Sequence, residues 1–446
     1  MRRQLLPSLF FSVRLPTLAA TFWRRHIKRT VVSGLPRKSP VSFVIFRLDS
    51  LGDVVLTTPL FRALKFAYPS SRCTVVVQPA YKALLATNPH IDEILTLPNI
   101  RPAWLPQGLR RLLSACAFYC TRLRTRHFDY AISPRWDTDE HLATFLCALS
   151  GASSRVGYSE KASPAKARLN RGFDAAFDIC LPAGPVRHEI LRNLAIAEAV
   201  GATACNARPE LHVTEQDRKR ASRLLAQLPQ SARLVTLGIG AHSPGRRWPI
   251  ERYARTLLRL ELQHSVRVVI LCSAGERAQA IELADLILHD PVIVCGVPLR
   301  EVCAVLERCE LFIGNDSGCA HLAAAMGCKT LVVSRHPGGG DPNHFNSPVR
   351  FAPQGRDVRV LQPALTLDGC TDGCRSPAPH CILQVSVEEV AAAAHGMLSG
   401  ARVVAPEEFA ARRLATLPPS LLNSHSAEAL RAAIADLRGA DMRPFA

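Results

Sequence analysis

The stretch VSFVIFRLDSLGDVVLTTP, residues 41–59, joins a strand to a helix through a short turn. Residues 41–46 are mostly apolar and β-branched, which is typical of a buried strand in a parallel sheet. A polar turn over residues 47–53 follows, and residues 54–68 then carry apolar side chains at helical spacing until Pro69. A buried strand that leads through a turn into a helix is the repeating unit of doubly wound α/β domains.

The same alternation of strands and helices occurs in two blocks along the chain. Such alternation predicts a parallel sheet with helices on both faces, so we expect two doubly wound domains, over residues 41–205 and 206–400. The predicted strands are 41–46, 73–77, 94–97 and 128–133 in the first block, and 233–238, 266–272, 292–295, 311–313 and 330–333 in the second. The predicted helices are 54–68, 81–86 and 105–124, followed by 250–262, 276–288, 299–308, 317–326 and 384–398.

The composition is that of a folded globular protein. The 446 residues are 48% hydrophobic and 21% charged, which argues against a disordered chain. No apolar run reaches the ~18 residues that a bilayer-spanning helix needs. The 15 cysteines are odd in number and scattered along the chain. A secreted disulfide framework is therefore disfavoured, and buried reduced thiols are expected.

Basic residues are concentrated at the N-terminus. The formal net charge is +18, and residues 1–40 hold nine Lys and Arg and no acidic residue. This basic amphipathic extension fits a transit peptide, a peripheral anchor on an anionic membrane or a disordered start. Nucleic-acid binding is not expected, because the chain has no zinc-finger spacing, aromatic RNA-binding signature or long basic helix. Residues 401–446 predict a helical tail.

Two interpretations fit Asp53, which stands where the first predicted strand leads into a helix. An acidic residue at a helix start is commonly a cap. The crevice beyond the strand ends is also where doubly wound sheets bind ligands, so a second interpretation is that Asp53 acts as a general base. Gly52 beside it allows a tight turn. Position alone fits both roles.

The string GNDSGCAHLAAA, residues 314–325, also follows a strand and opens a helix. Asp316, Ser317 and Gly318 would present backbone N–H groups and a hydroxyl at the helix start, where the helix dipole favours phosphate. His321 lies four residues beyond Ser317, on the same side of the helix. The alternative is an ordinary Asp or Ser cap with a buried structural histidine. The local chemistry favours phosphate binding.

A third loop, GIGAHSPGRRWP over residues 238–249, lies between a predicted strand and a predicted helix. Its Arg246 and Arg247 suit the stabilisation of a departing diphosphate. The alternative is a solvated arginine pair beside a packed Trp248. Pro249 suits a first helical turn.

A group of cysteines, Cys370, Cys374 and Cys381, lies near His380. The spacing matches no standard zinc ligand set well, so we expect a structural thiol cluster or an occasional disulfide and assign no metal. The chain has no GxGxxG after its first strand and no GxxxxGK[ST]. A dinucleotide oxidoreductase and a P-loop kinase are therefore disfavoured.

Three of these strings, in this order and spacing, resemble glycosyltransferase family 9. Its best-known members are the ADP-heptose:lipopolysaccharide heptosyltransferases. The matching segments are residues 47–59, 238–249 and 314–325, with further similarity over residues 150–158 and 188–194.

This resemblance, over roughly residues 42–398, implies the GT-B architecture, in which two Rossmann-like doubly wound α/β domains face each other across a cleft. The N-terminal domain would bind the acceptor and the C-terminal domain the nucleotide-sugar. The resemblance makes Asp53 the general base, with Ser50 and Gly52 shaping the acceptor-side loop. Donor-binding residues implied by it are Arg246, Glu276, Asp316, Ser317, Gly318 and His321.

The resemblance also implies an activity. An inverting enzyme would transfer a heptose, or a related sugar, from an ADP-sugar donor to a lipopolysaccharide core or lipid A-linked acceptor, without a cofactor or metal. It would be cytoplasmic and peripheral on the inner face of the inner membrane, with residues 1–40 meeting the anionic membrane surface. Asp49 stands where the family more often has Ser. Two alternatives remain: a nucleotide-sugar epimerase of similar two-domain fold, and a non-catalytic membrane-associated family member.

Overall fold

The computed structural model describes residues 40–98, 105–203, 206–367, 370, 373–374 and 376–399. The predicted tail over residues 401–446 and, apart from Pro40, the predicted extension over residues 1–40 lie outside these ranges. The chain divides into two compact units, an N-terminal unit that ends at His212 and a C-terminal unit that begins at Val213. Within the described residues, no helix is both long enough and apolar enough to cross a membrane.

The N-terminal unit is built on a parallel six-stranded sheet in the order β3-β2-β1-β4-β5-β6. The strands are β1 Ser42–Arg47, β2 Arg72–Val77, β3 Glu93–Thr96, β4 Tyr130–Ser133, β5 Ser154–Tyr158 and β6 Ile179–Leu181. The α-helices are α1 Leu51–Ala67, α2 Lys82–Leu85, α3 Gln107–Phe118, α4 Ala143–Leu149, α5 Pro164–Leu169 and α6 Glu189–Ala199. β1 lies in the centre, where Phe43 is opposite Cys73 on one side and Tyr130 on the other. The central position explains the apolar run of β1, since both of its faces are covered.

Helix α1 continues through Pro59, which cannot donate the usual backbone hydrogen bond to Val55. The hydroxyl of Thr58 donates to the Val55 carbonyl instead, at 2.8 Å. A side chain thus satisfies the acceptor that proline leaves open.

The C-terminal unit repeats this architecture, with a parallel sheet in the order β12-β11-β10-β7-β8-β9. The strands are β7 Arg233–Gly238, β8 Val266–Cys272, β9 Val292–Cys295, β10 Leu311–Asn315, β11 Lys329–Val333 and β12 Val358–Leu361. The α-helices are α7 Glu215–Leu224, α8 Ile250–His264, α9 Arg277–Asp285, α10 Leu299–Glu307, α11 Gly318–Ala325, α12 Pro348–Phe351 and α13 Val387–Leu398. Gly314 of β10 lies opposite Gly238 of β7, so the two predicted donor loops leave adjacent strands at the same sheet edge.

The two compact units divide between His212 and Val213, a few residues after the domain limit of residue 205 expected from the sequence. The segment after residue 205 stays with the N-terminal unit because it bonds to helices there. Glu210 pairs with Arg62 at 2.6 Å, and its backbone N–H donates to the Thr58 hydroxyl at 3.0 Å. The hydroxyl of Thr87 donates to the His212 carbonyl at 2.5 Å.

Candidate active site

The loop after β1 is held by a buried arginine. Arg47 Nη1 donates to Asp49 Oδ2 at 2.9 Å, and Arg47 Nη2 donates to Asn193 Oδ1 at 2.8 Å. Asn193 lies on α6 and donates in turn to the Leu56 carbonyl on α1 at 2.9 Å. Arg47, Asp49 and Asn193 are all buried. The end of β1, the start of α1 and one face of α6 are therefore fixed together.

Asp53 caps helix α1. Its Oδ2 accepts hydrogen bonds from the backbone N–H of Ser50 at 3.2 Å and from the Ser50 hydroxyl at 2.7 Å. The capping role expected from the sequence is thus present. The second carboxylate oxygen, Oδ1, lies 3.5 Å from Arg135 Nη1. Capping uses one oxygen of Asp53 and leaves the other for a second role.

Arg135 is a site residue that the sequence analysis missed. Its guanidinium lies between two carboxylates, with Nε 3.6 Å from Asp49 Oδ1 and Nη1 near Asp53. Burial alone would lower the pKa of Arg135, but the carboxylates of Asp49 and Asp53 outweigh it and raise that pKa. The guanidinium therefore stays charged. The only signal in the sequence was the position of Arg135 just after a predicted strand.

Buried Lys166 supports the backbone of this arginine. Its Nζ donates to the Arg135 carbonyl at 3.0 Å and to the Tyr158 carbonyl at 2.9 Å. Burial lowers the pKa of Lys166 to about 8. Lys166 thus joins the end of β5 to the segment that follows β4.

The two donor loops of the C-terminal unit are joined by Asn315, at the end of β10. Its Oδ1 accepts from the Trp248 backbone N–H at 2.8 Å and from the Tyr253 hydroxyl at 3.0 Å. Its Nδ2 donates to the Ile239 carbonyl at 2.8 Å. Asn315 is fully buried. This amide sets the distance between the loop over residues 238–249 and the start of α11.

Two predicted donor residues, Arg246 and Asp316, form an ion pair. Arg246 Nη2 lies 2.6 Å from Asp316 Oδ2 and also donates to the Asp316 carbonyl at 2.7 Å. The arginine is thereby held beside the start of α11. A charged guanidinium next to a helix N-terminus is suited to a diphosphate.

The start of α11 has the features of an anion site. Ser317 is the N-cap residue, in an extended conformation, and its side chain makes no capping hydrogen bond. Its buried hydroxyl has no hydrogen-bond partner within the described part of the chain. The first N–H groups of a helix have no intrahelical acceptor, and the helix dipole makes this end positive. Gly318 begins the helix, and His321 is buried one turn further on.

Glu276 lies against the loop over residues 238–249. Its Oε2 accepts from the backbone N–H and hydroxyl of Ser273 at 2.9 and 2.8 Å. Its Oε1 lies 3.6 Å from Arg247 Nη2. A Cβ on Gly240 would lie 2.5 Å from the same oxygen, so a side chain there would displace the Glu276 carboxylate. The structure thus pairs Glu276 with Arg247, while the neighbouring arginine pairs with Asp316.

The predicted site residues therefore fall into two groups. Ser50, Gly52 and Asp53 lie at the start of α1 in the N-terminal unit. The six predicted donor residues lie in the C-terminal unit at the strand ends, on or beside the loops that leave β7, β8 and β10: Arg246, Glu276, Asp316, Ser317, Gly318 and His321.

Two α/β units, each on a six-stranded parallel sheet, give the fold of a GT-B glycosyltransferase. The fold is similar to that of a family 9 glycosyl transferase from Veillonella parvula, with a TM-score of 0.64 and 21% identity over 81% of this chain and 97% of that chain. It is also similar to ADP-heptose lipopolysaccharide heptosyltransferase II of E. coli, with a TM-score of 0.59 and 16% identity over 80% of this chain and 98% of that chain.

Sequence comparison finds similarity to one family of glycosyltransferases. Residues 120–334 match the model of glycosyltransferase family 9 (heptosyltransferase). The chain is 24% identical over 319 residues to the lipopolysaccharide core heptosyltransferase OpsX of Haemophilus influenzae, covering 71% of this chain and 82% of that protein. It is 25% identical over 289 residues to lipopolysaccharide heptosyltransferase 3 of Escherichia coli K12, covering 64% and 78%. The chain is thus similar to glycosyltransferase family 9 over residues 120–334, and its curated relatives are heptosyltransferases.

Proposed function

We propose that this protein is a heptosyltransferase of lipopolysaccharide core synthesis that uses ADP-heptose as donor. The names of its relatives support the sugar and the acceptor. The observation that carries the donor assignment is the Arg246–Asp316 pair beside the start of α11, next to the buried Ser317 hydroxyl, which has no hydrogen-bond partner among the described residues. Such a site suits the diphosphate of a nucleotide-sugar.

The proposed sugar transfer uses a carboxylate of the N-terminal unit and a guanidinium of the C-terminal unit. An acceptor hydroxyl attacks the anomeric carbon while its proton passes to Asp53 Oδ1, and the bond from that carbon to the diphosphate oxygen breaks. Attack from the opposite face inverts the anomeric configuration. General-base help of this kind is worth about 10²–10⁴-fold in rate. The departing diphosphate meets the N–H groups of α11 and the guanidinium of Arg246.

Arg135 has a defined part in this proposal. Its guanidinium lies 3.5 Å from Asp53 Oδ1, close enough to help orient that oxygen. The Ser50 hydrogen bonds on Oδ2 fix the carboxylate plane, so that Oδ1 is the oxygen left for the acceptor.

The proposal is tested by incubating the full chain with ADP-heptose and lipopolysaccharide from a heptose-deficient strain, followed by mass spectrometry of the lipid product. The expected result is one added heptose and release of ADP only when acceptor is present. Consumption of donor without acceptor would support a nucleotide-sugar epimerase. No turnover of either substrate would support a non-catalytic family member.

We also infer that the protein acts at the inner face of the inner membrane. The nine basic residues within residues 1–40 support this, since polybasic segments bind anionic lipid headgroups. The full chain should sediment with vesicles that contain phosphatidylglycerol and not with phosphatidylcholine vesicles. Replacing the nine Lys and Arg with Gln should abolish the sedimentation, and unchanged sedimentation would exclude this role for the extension.

A further inference from the structure

A compact group of metal-ligand side chains lies between β12 and α13, outside the proposed transfer chemistry. Cys370, Cys374 and Cys381 pack against one another and are 5%, 1% and 0% exposed. His380 completes the group, and the three sulfur atoms and one imidazole nitrogen all lie within 4.8 Å of one another. All three cysteines are free thiols within the described part of the chain. We refer to these four residues as the Cys3His cluster.

The distances within the Cys3His cluster match those around a single tetrahedral ion. His380 Nδ1 lies 3.7 Å from Cys370 Sγ, 4.0 Å from Cys374 Sγ and 3.5 Å from Cys381 Sγ. A zinc ion with Zn–S bonds of about 2.3 Å and a Zn–N bond of about 2.0–2.1 Å places sulfur and nitrogen about 3.6 Å apart. One ion at the centre would therefore reach all four atoms with small adjustments.

We propose that Cys370, Cys374, His380 and Cys381 bind one thiophilic metal ion, for which Zn²⁺ is the best match. Three thiolates and one imidazole are a standard set for structural zinc, and soft sulfur ligands exclude Mg²⁺ and Ca²⁺. The set fills all four positions of a tetrahedron, so the ion would be structural. The spacing in the sequence argued against zinc because it matches no standard ligand set. The fold nevertheless turns the side chains of His380 and Cys381 toward the other two ligands.

The proposed metal site adjoins the loop that carries Arg246. Ser376 lies between the ligands Cys374 and His380, and a Cβ on Gly245 would lie 2.2 Å from the Ser376 carbonyl oxygen. The turn at Gly245 is therefore in direct contact with the segment between two ligands. Arg335 Nη1 donates to the same carbonyl at 3.3 Å.

A second contact follows the last ligand. Trp248 Nε1 donates to the Val385 carbonyl at 3.1 Å, and Arg252 Nη1 donates to it at 2.9 Å. The backbone before Cys381 and the backbone after it thus both pack on the segment around Arg246. If the donor assignment proposed above is right, the ion would position Arg246 indirectly. It would order the backbone that packs on the Arg246 loop, without touching the substrate.

The first test is the metal content of the full chain, purified with a tag that contains no histidine and without chelators. Inductively coupled plasma mass spectrometry should find about one zinc ion, or one iron ion, per chain. The double substitution Cys374→Ser and Cys381→Ser should reduce this to less than about 0.1 metal ion per chain. The matched control is Cys303→Ala, because Cys303 is buried in the same unit and lies outside the cluster. This control should keep the metal.

A second pair of variants separates ligation from folding. His380→Cys still offers a fourth thiolate and should retain a stoichiometric ion, whereas His380→Ala should lose most of it. Cobalt added to the metal-free wild-type chain should give the visible absorption of tetrahedral cobalt thiolate, which the double variant should lack. Substoichiometric metal in the folded wild-type chain, or the same metal content in the double variant, would overturn the proposal.

The affinity for ADP tests whether the ion positions the loop that carries Arg246. If the ion orders the loop that carries Arg246, the His380→Ala variant should bind ADP more weakly by about tenfold, the value of one charge-assisted hydrogen bond, and His380→Cys should restore the affinity. Stoichiometric metal in a chain that transfers no sugar would support the metal site and refute the proposed function. Sugar transfer by a chain that holds no metal would support the proposed function and refute the metal site.

Discussion

Arg246 and Asp316 are 70 residues apart in the sequence, yet Arg246 Nη2 lies 2.6 Å from Asp316 Oδ2. The pair forms because β7 and β10 are adjacent strands, so the loops that leave them meet at one edge of the sheet. Without this carboxylate, Arg246 would keep only its hydrogen bond to the Asp316 carbonyl. The relationship makes Asp316 a positioning residue for the arginine as well as a candidate contact for the donor.

Arg246→Ala should weaken ADP binding by about 10–100-fold, because a charge-assisted hydrogen bond to phosphate is worth about 1.5–3 kcal/mol. Isothermal titration with ADP measures this directly. Arg259→Ala is the control, since Arg259 pairs with the exposed Glu388 on the surface of the same unit. Equal affinity in the Arg246 variant and the wild type would remove Arg246 from the donor site.

Asp53→Asn should lower kcat by about 10²–10⁴-fold while the affinity for ADP stays unchanged, because an amide cannot take the proton. The asparagine Oδ1 can still accept the Ser50 hydrogen bonds of the capping box, so the melting temperature should change little. The control Asp357→Asn removes a carboxylate that lies elsewhere in the C-terminal unit and should keep full activity. Retained transfer in the Asp53 variant would assign Asp53 to capping alone.

Arg47→Met should destabilise the N-terminal unit by about 3–5 kcal/mol, because it leaves the buried Asp49 with only its longer contact to Arg135. Urea unfolding followed by circular dichroism gives the change in free energy. The additional substitution Asp49→Leu should recover part of the loss, since it removes a buried charge that has lost its shorter ion pair. No recovery would show that the contact to Asn193, rather than the ion pair, carries the effect.

Gly245→Ala should weaken ADP binding, because the new methyl group would overlap the Ser376 carbonyl and displace the turn that precedes Arg246. Gly339→Ala is the matched control, since a Cβ there meets no atom within 4 Å. Titration of both variants with ADP compares them. An unchanged affinity in Gly245→Ala would mean that this turn adapts without moving the arginine.

The C-terminal unit should lose stability as the pH falls from about 6.5 to 4. Burial and the neighbouring His395 lower the pKa of His264 to about 4, whereas an unfolded histidine titrates near 6.5. In this window the unfolded chain binds more protons, so acid favours unfolding. The melting temperature should therefore be lower at pH 5 than at pH 7.

The variant His264→Gln isolates this contribution, because glutamine can still bond to His395 and does not titrate. The difference in melting temperature between pH 5 and pH 7 should shrink. His127→Gln, which alters an exposed histidine, should leave it as in the wild type. An equal pH dependence in both variants would assign the acid sensitivity to other groups.

The alternation of strands and helices was predictable from the sequence because most strands are buried on both faces. Phe43 to Phe46, for example, are fully buried and apolar. The strands that the analysis missed are less uniform. β5 carries Arg155, paired with Asp178 at 2.9 Å, and the edge strand β12 alternates valine with the more exposed Arg359. A charged or edge strand gives no continuous apolar signal.

Helix ends were less predictable than helix positions. The helix expected over residues 105–124 is α-helical from Gln107 to Phe118 and π-helical from Tyr119 to Leu123. The helix expected over residues 276–288 ends at Asp285, since Leu286 to Leu288 turn into the core and the Leu288 N–H donates to the buried Glu261. Tertiary contacts fixed both ends, and these contacts are not visible in a local pattern.

The candidate site was predictable only where its residues belong to a local sequence pattern. Asp53, Ser317 and their neighbours stand in turns with a recognisable local pattern. Arg135, Asn193 and Asn315 act through partners far away in the chain, and single polar residues after strands are common. The Cys3His cluster was visible as residue types, but only the fold shows that His380 shares a centre with three thiols.

The hydroxyl of Thr58 takes part in two hydrogen bonds at once, as donor to the Val55 carbonyl and as acceptor from the Glu210 N–H. The gap that Pro59 opens in α1 therefore also anchors the final residues of the N-terminal unit. Replacing Thr58 with valine would preserve the shape of the side chain and remove both bonds. The position of these residues thus depends in part on one oxygen atom, alongside the Arg62–Glu210 ion pair, and a conservative substitution there would loosen the last residues of the N-terminal unit without altering any residue of the site.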